Sequence, residues 1–355
     1  MTNKERVTRV LNGDGFDRLP MWYGAEPGTT KNVLTLLGLS SEEELMRHFD
    51  VDFRTIRPRY IGPELKSYED GTFDTMWGIK RGGGVWGMAL NHPLKNVDSI
   101  AGLKQYQFPK PEWFDPDFTK EDIEVSQKYA AIGGMWAPFW HDAIDLFSIE
   151  KMFVELYTNP SLIMEVVDRC FNLHYEVTEK CFRNNSRYID VFFFANDYGT
   201  SNCLIIDPQL WRKYFKPYQK KLADLGHRYG IKVAMHSCGD IHEIIPDLID
   251  IGIEILNPIQ VSVPNMDPAT LKKEYGQDLI FFGAIDYNEL LNFGTPDEVR
   301  KGVRSIIDIL GHDGKYIVAP SHDLMMEEVP PENIVAMYEE AREYSAKYGT
   351  SVTRG

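Results

Sequence analysis

From about residue 120 onward, stretches of helical periodicity alternate with short apolar runs that end in polar residues. Strands that alternate with helices must run parallel, joined by right-handed crossovers, so the pattern restricts the chain to parallel-sheet α/β architectures. The runs are Ala131–Trp136, Tyr188–Phe194, Ile231–His236, Ile253–Leu256, Leu279–Phe282 and Tyr316–Ala319, with helices expected near 120–130, 148–157, 160–184, 207–229, 241–250, 267–275, 296–310 and 331–347. Two earlier candidates, Leu19–Tyr23 and Val51–Ile56, bring the strands to eight, near 19, 52, 132, 190, 232, 254, 279 and 316, which is the number for a (β/α)8 (TIM) barrel. A doubly wound sheet is the competing architecture, but it gathers its polar residues at one switch point, whereas here they follow nearly every strand. With no linker inside 120–355, residues 1–355 are expected to form one domain.

Composition narrows the partners. Hydrophobic residues at 43 % are ample for a large core, and 38 basic against 53 acidic residues give a net charge of −15. Such a chain repels nucleic acid and anionic membranes, so neither is expected as the main partner. No apolar run approaches the roughly 18 residues of a membrane span. The four cysteines show no CxxC spacing, and the opening Met1–Arg6 is not a secretory leader, so reduced thiols and a cytoplasmic location are expected. Residues 57–95 are rich in glycine and aromatics without helical periodicity. Within them Gly82-Gly-Gly84-Val-Trp-Gly87 matches GxGxxG literally, but a dinucleotide loop needs a preceding strand and a following helix, and Met88-Ala-Leu-Asn-His-Pro93 opens a helix poorly. This segment is expected to be a hairpin that covers a pocket.

In a barrel all strand ends face one mouth. The polar residues gathered there are Glu26, His141, Asp142, Asn196, Asp197, Tyr198, His236, Cys238, Asn257, Gln260, Asp286, His322 and Asp323. Within Ile231-Lys-Val-Ala-Met-His236-Ser-Cys238-Gly-Asp240, residues i and i+2 of an extended segment point the same way, so an imidazole and a thiol converge. His236, Cys238 and, after a later strand, His322 are the metal candidates, and three protein ligands with an open fourth position is the catalytic zinc arrangement. The plain alternative is a hydrogen-bonded strand-end histidine beside a buried thiol. Cys170 and Cys181 fall in a long helix and read as core or flank, while Ser321 and Cys203 are lesser ligand candidates. Asp240-Ile-His242 has two residues of the DxHxxG cobalamin signature, but Ile245 stands where glycine is required, so His242 reads as a helix-surface residue.

Asn196-Asp-Tyr-Gly-Thr200, His236-Ser-Cys-Gly239, Gly283-Ala-Ile-Asp286 and Pro320-Ser-His322 through Val329-Pro-Pro-Glu-Asn-Ile334 resemble the uroporphyrinogen decarboxylase superfamily, and more narrowly its corrinoid-linked (cobalamin-dependent) methyltransferase branch. The resemblance implies a (β/α)8 barrel with an N-terminal extension. It implies a zinc ion held by a His-x-Cys pair and a later cysteine, and a corrinoid carried by a partner protein. His236 and Cys238 match the pair, and His322 stands where the cysteine is expected. The decarboxylase has arginines after its first strand, whereas this chain reads Pro20-Met-Trp-Tyr-Gly-Ala-Glu-Pro27.

One thiolate and two imidazoles would leave the zinc shell at +1, a better Lewis acid and a weaker activator of a thiolate. The expectation is therefore methyl transfer from a methoxylated, O-demethylase-type donor to the cobalt(I) of the corrinoid protein. Asp197, Asp286 and Glu26 are the expected catalytic residues. Trp22, Tyr23, Trp136, Asn196, Tyr198, Asn257 and Gln260 are expected to bind the methylated small molecule. The rival readings are methyl transfer from the corrinoid to a thiol of the coenzyme M type, and a zinc-free decarboxylase-like lyase or binding protein.

Overall fold

The structure, a computed structural model, describes residues 1–82 and 87–349. Its centre is a sheet of seven parallel strands, β1 (Phe53–Thr55), β2 (Ala130–Gly133), β3 (Val191–Ala195), β4 (Lys232–His236), β5 (Ile255–Asn257), β6 (Ile280–Ile285) and β7 (Tyr316–Pro320), each paired with its neighbours in chain order. The eighth stave, expected at Leu19–Tyr23, shrinks to a single parallel bridge between Met21 and Val318. Pro20 has no N–H to give a ladder. Its carbonyl nevertheless accepts from Val318 N (2.8 Å), Trp22 N donates to Val318 O (3.1 Å), and Asp52 N donates to Met21 O (2.9 Å). These bonds join β7 to β1 and close the barrel.

Strand residues alternate between two cores. Phe53, Ile132, Phe193, Ala234, Ile255, Phe282 and Ile317 fill the interior, with Val7 and Leu11 of the helix Asn3–Asn12 packed in from below. Phe192, Phe194, Val233, Met235, Leu256 and Phe281 point outward under the surrounding helices. Both faces are therefore buried, as parallel sheets require.

Asp52 holds the seam. Fully buried at the start of β1, its carboxylate accepts from Arg6 Nη1 (2.7 Å), Arg18 Nη1 (2.8 Å), Met21 N (2.7 Å) and Asn3 Nδ2 (3.2 Å). One side chain thus ties the N-terminal helix, the residual first stave and β1 together.

Two helices go beyond the sequence expectation, Pro27–Leu37 and Phe139–Phe147. The helix expected over 207–229 is two, Pro208–Tyr214 and Lys216–Arg228, broken before Pro217, whose ring would clash with the carbonyl of Lys213 in a continuous helix. In the glycine-rich segment, Phe73–Asp74, Lys80–Gly82 and Met88–Ala89 form a small antiparallel sheet. Most of the GxGxxG match, residues 83–86, lies outside the described residues. Among the described residues no helix is long and apolar enough to cross a membrane.

Replacing Asp52 by Asn removes the one buried carboxylate that Arg6 and Arg18 share and leaves each with a single, more exposed partner, Asp17 and Asp50. The expected cost is about 3–5 kcal/mol in urea unfolding; a loss under about 1 kcal/mol would show that the seam does not depend on this carboxylate.

Candidate metal centre at the barrel mouth

The ends of β3, β4 and β5 lie side by side. Ala195 is in register with His236, and Asn257 with His236. Two residues beyond Ala195, Asp197 therefore reaches the level of Cys238. The loops that follow β3 and β4 are zipped together by backbone contacts. Asn196 N donates to His236 O (3.0 Å), Asp240 N to Thr200 O (2.8 Å), and Tyr198 N to Ser237 Oγ (3.0 Å). Gly199 and Gly239 meet at this junction. A Cβ on Gly239 would lie 2.4 Å from the Gly199 carbonyl carbon, and one on Gly199 2.5 Å from the Cys238 oxygen, so neither position accepts a larger residue.

At this junction three ligand atoms converge. The atoms offered by Asp197, His236 and Cys238 all lie within 4.8 Å of one another. His236 Nε2 is 3.4 Å from Cys238 Sγ and 3.3 Å from Asp197 Oδ1. The other ring nitrogen is committed: His236 Nδ1–H donates to Asn257 Oδ1 (2.7 Å), which turns the Nε2 lone pair toward the thiol and carboxylate. Asp197 is braced twice, accepting from Cys238 N (2.8 Å) and contacting His141 Nε2 at 3.2 Å. Gly239 N donates to Gln260 Oε1 (2.7 Å), which fixes the turn after the thiol.

Burial alone would push the Asp197 carboxyl up, but the His141 and His236 rings outweigh it and hold it well below the usual carboxylate range. Burial also works against a charged His236, yet Cys238 and Asp197 lift its ring well above the ordinary value. The Cys238 thiol is pushed up by burial, against the pull of His236. An imidazole nitrogen, a thiol and a carboxylate aimed at one point could hold a shared cation.

Zinc fits that point. Tetrahedral zinc with bonds of about 2.0 Å to nitrogen or oxygen and about 2.3 Å to sulfur separates its ligands by roughly 3.5 Å for S···N and 3.3 Å for N···O. The observed 3.4 and 3.3 Å agree.

Several expected site residues lie elsewhere. His322 does line the same cavity, but the group of three ligand atoms has Asp197 in the third place. β7 is three strands away from β4 in the barrel, and the loop after it draws His322 aside. There Nδ1 donates to Leu324 O (2.8 Å) and the ring stacks on Tyr287 at 5.1 Å. Asp286 caps the turn Tyr287–Leu291 and faces a separate cavity of about 580 Å³, because Gly283 and Ala284 both take positive φ (109° and 78°) and break the strand alternation just before it.

Tyr23 points outward, buried against Phe49 and Tyr338 with its hydroxyl 3.0 Å from Thr30 Oγ1, and burial pushes the phenol up to about 12. Tyr198 is fully buried against Trp140, Trp211 and Phe215. Asn196 is spent on Trp140 N and Ala137 O. Glu26 precedes the helix Pro27–Leu37, and its Oε1 is buried without a hydrogen-bond partner. Trp22 sits edge-on to Phe282 in the barrel interior. Trp136 does line the mouth cavity, 5.5 Å from the His236 ring. That cavity, about 700 Å³, is ringed by His141, Asp142, Asp323 and, on the hairpin side, Arg81 and Met88. His242 pairs with Glu274 away from the mouth, as a surface residue does.

Residues 116–344 match the family described as Uroporphyrinogen decarboxylase (URO-D). The chain belongs to that family. Two relatives are both named Methylcobamide:CoM methyltransferase MtbA. The one from Methanosarcina acetivorans is 22 % identical over 363 residues, covering 97 % of this chain and 98 % of its own. The one from Methanosarcina mazei is 22 % identical over 326 residues, covering 86 % and 89 %. A solved structure of a methyltransferase from Methanosarcina mazei superposes with a TM-score of 0.64 at 16 % identity, covering 97 % of this chain and 99 % of that one. Within the family the chain falls in the corrinoid-linked methyltransferase branch, and it is a methyltransferase.

The ligand geometry is tested by metal analysis after exhaustive dialysis. Asp197→Ala and Cys238→Ala are expected to lose bound zinc, while His322→Ala retains it. Asn257→Ala is expected to weaken zinc binding by about 10–100-fold, because the imidazole loses the bond that orients it.

Proposed function

We propose that this enzyme is a zinc methyltransferase that carries a methyl group from the methylated corrinoid of a separate protein to the thiol of a small molecule. One observation carries this reading: a carboxylate, Asp197, rather than a second imidazole, lies beside His236 and Cys238. With one thiolate, one carboxylate and one neutral imidazole, the protein cancels the charge of Zn2+. The +1 shell expected with His322 would have favoured activation of an oxygen leaving group. A neutral shell favours a ligand that must stay electron-rich, as a nucleophilic thiolate must. The names of the MtbA relatives support the same direction.

Zinc bound there would supply a Lewis acid that lowers the pKa of a thiol entering its open position. The chain's own residues do the rest. Asn257 holds the His236 tautomer, and Gln260 and the glycine junction fix the height of Cys238. His141 braces the outer oxygen of Asp197. Trp136, Ala89 and the exposed Met88 and Ile149 give the cavity apolar walls. In the net reaction the new S–C bond takes the thiolate's electron pair, and the pair of the broken Co–C bond stays on cobalt as Co(I). A site that depends on a reduced Cys238 suits a cytoplasmic setting.

A second reading has one observation in its favour. The indole of Trp136, packed edge-on to Phe193 and bordering the cavity, offers a flat wall for an aromatic ring, as a methoxylated aromatic donor would need. The zinc-loaded protein supplied with methylcobalamin and a small thiol is expected to release the methyl thioether and cob(I)alamin. Chelation should stop this reaction and zinc restore it. Methylcobalamin formed only from a methoxyarene and cob(I)alamin would establish the second reading instead. No transfer in either direction would overturn both.

A further inference from the structure

The barrel mouth holds a sheltered acid–base pair to which the chemistry above gives no task. Asp142, on the helix Phe139–Phe147, lines the mouth cavity with its side chain only 9 % exposed. Oδ2 accepts from Nε2–H of His174 (2.6 Å), a buried residue of the long helix Pro160–Asn185. Among the described residues Oδ1 has no such partner, and it is not sealed from solvent, so it is the oxygen that the cavity reaches.

The other half of the pair fixes this arrangement. His174 Nδ1 is buried without a hydrogen-bond partner, so a second N–H there would go unmet, and the ring carries its hydrogen on Nε2. Asp142 is therefore held by one imidazole N–H and by no guanidinium or ammonium group. The other carboxylates of the cavity are matched differently: Asp145 by Arg81 and Asp197 by His141 and His236, while Asp323 lies 3.5 Å from His322 Nδ1.

Position points the same way. Asp142 follows His141, whose ring contacts Asp197 at 3.2 Å, and consecutive Cα atoms are about 3.8 Å apart, so the carboxylate stands beside the ligand set. The titratable groups nearest to it are His174 and Cys170 on the long helix, Tyr106, and His141 and Asp145 on its own helix. Burial holds the Cys170 thiol and the Tyr106 phenol above their ordinary values, so neither accepts a proton at neutral pH. His141 meets Asp197 through Nε2, and its Nδ1 is buried. His92 and His322 turn Nδ1 to the carbonyls of Asp145 and Leu324 and leave Nε2 without a partner among the described residues, which makes them the rival acceptors.

A thiol that methylates must first give up its proton, and a base within reach of the sulfur takes it. We propose that Asp142 is this base, with His174 as the positioning residue that holds the carboxylate toward the cavity. The inference rests on the thiol-methylating reading of the His236–Cys238–Asp197 centre. The S–H bond breaks, its electron pair stays on sulfur, and the proton goes to Asp142 Oδ1. The sulfur pair then forms the S–C bond, the pair of the Co–C bond stays on cobalt, and Asp142 returns the proton to solvent as the thioether leaves.

Counting protons tests the assignment apart from turnover. The zinc-loaded enzyme is titrated with 2-mercaptoethanol in buffers of different ionisation enthalpy, at matched zinc content for every variant. The wild type is expected to release almost no proton per thiol bound, whereas Asp142→Asn releases about one. His174→Leu should behave like Asp142→Asn, and His174→Gln, which keeps a donor, like the wild type. In turnover with methylcobalamin, Asp142→Asn is expected to lose about 100-fold in kcat with 2-mercaptoethanol and far less with thiophenol, which ionises unaided near neutral pH. Equal proton counts in the wild type and Asp142→Asn, or a shift confined to His92→Gln or His322→Gln, would overturn the assignment and, with methyl transfer intact, leave the reading in place. A wild-type count in His174→Leu would remove His174 from the pair. Proton counts that differ as expected without any methyl transfer would reject the reading and keep Asp142 as the acceptor. A thiol that does not bind overturns both.

Discussion

Barrel closure depends on a carboxylate with no access to water. A first stave reduced to the bridge at Met21 offers little ladder of its own, so the seam between β7 and β1 needs another source of cohesion. Asp52 supplies it by accepting from two guanidinium groups and from the Met21 amide. Such a group acts as a network, because loss of its shared buried carboxylate leaves Arg6 and Arg18 only their partly exposed partners Asp17 and Asp50. The functional end inherits this dependence. Residues on β3, β4 and β5 meet at one height only if the strands keep the tilt of a closed barrel.

The convergence of Asp197, His236 and Cys238 follows from strand register more than from residue identity. His236 lies between Ala195 and Asn257, so its neighbours at the same level are whatever follows Ala195 on one side and Asn257 on the other. Asp197 and the Asn257 amide occupy those positions. Adjacent staves bring side chains within ligand distance, whereas His322, three strands away from β4, borders the cavity instead. The back-to-back Gly199 and Gly239 let the two loops approach until their carbonyls and amides pair.

Much of the fold was legible because period-2 and period-3.6 patterns report burial directly. The helices Pro27–Leu37 and Phe139–Phe147 were not, for two physical reasons. The first opens Pro-Gly-Thr-Thr, a poor helix sequence by propensity, although proline at its start was a usable signal. The second is only nine residues long and opens directly after Ala137-Pro138, which reads as a loop, although Phe139, Asp142, Ala143, Leu146 and Phe147 keep a helical spacing. In the site, His236 and Cys238 were readable because i and i+2 share a side. Asp197 was visible as a mouth residue but not as a ligand, since sequence does not give the height of one strand against the next. Tyr23, Tyr198 and Asn196 could not be told from lining residues for the opposite reason: their direction is set by bonds to Thr30, Gln219 and Trp140.

The charges at the mouth sort into spent and unspent. One oxygen of Asp142 is spent on His174 (2.6 Å), Asp145 on Arg81, and Asp197 on His141 and His236. What the centre leaves unspent is the capacity of Asp197, His236 and Cys238 for a shared cation: one divalent ion held there would have its charge met by the carboxylate and a Cys238 thiolate before any substrate entered.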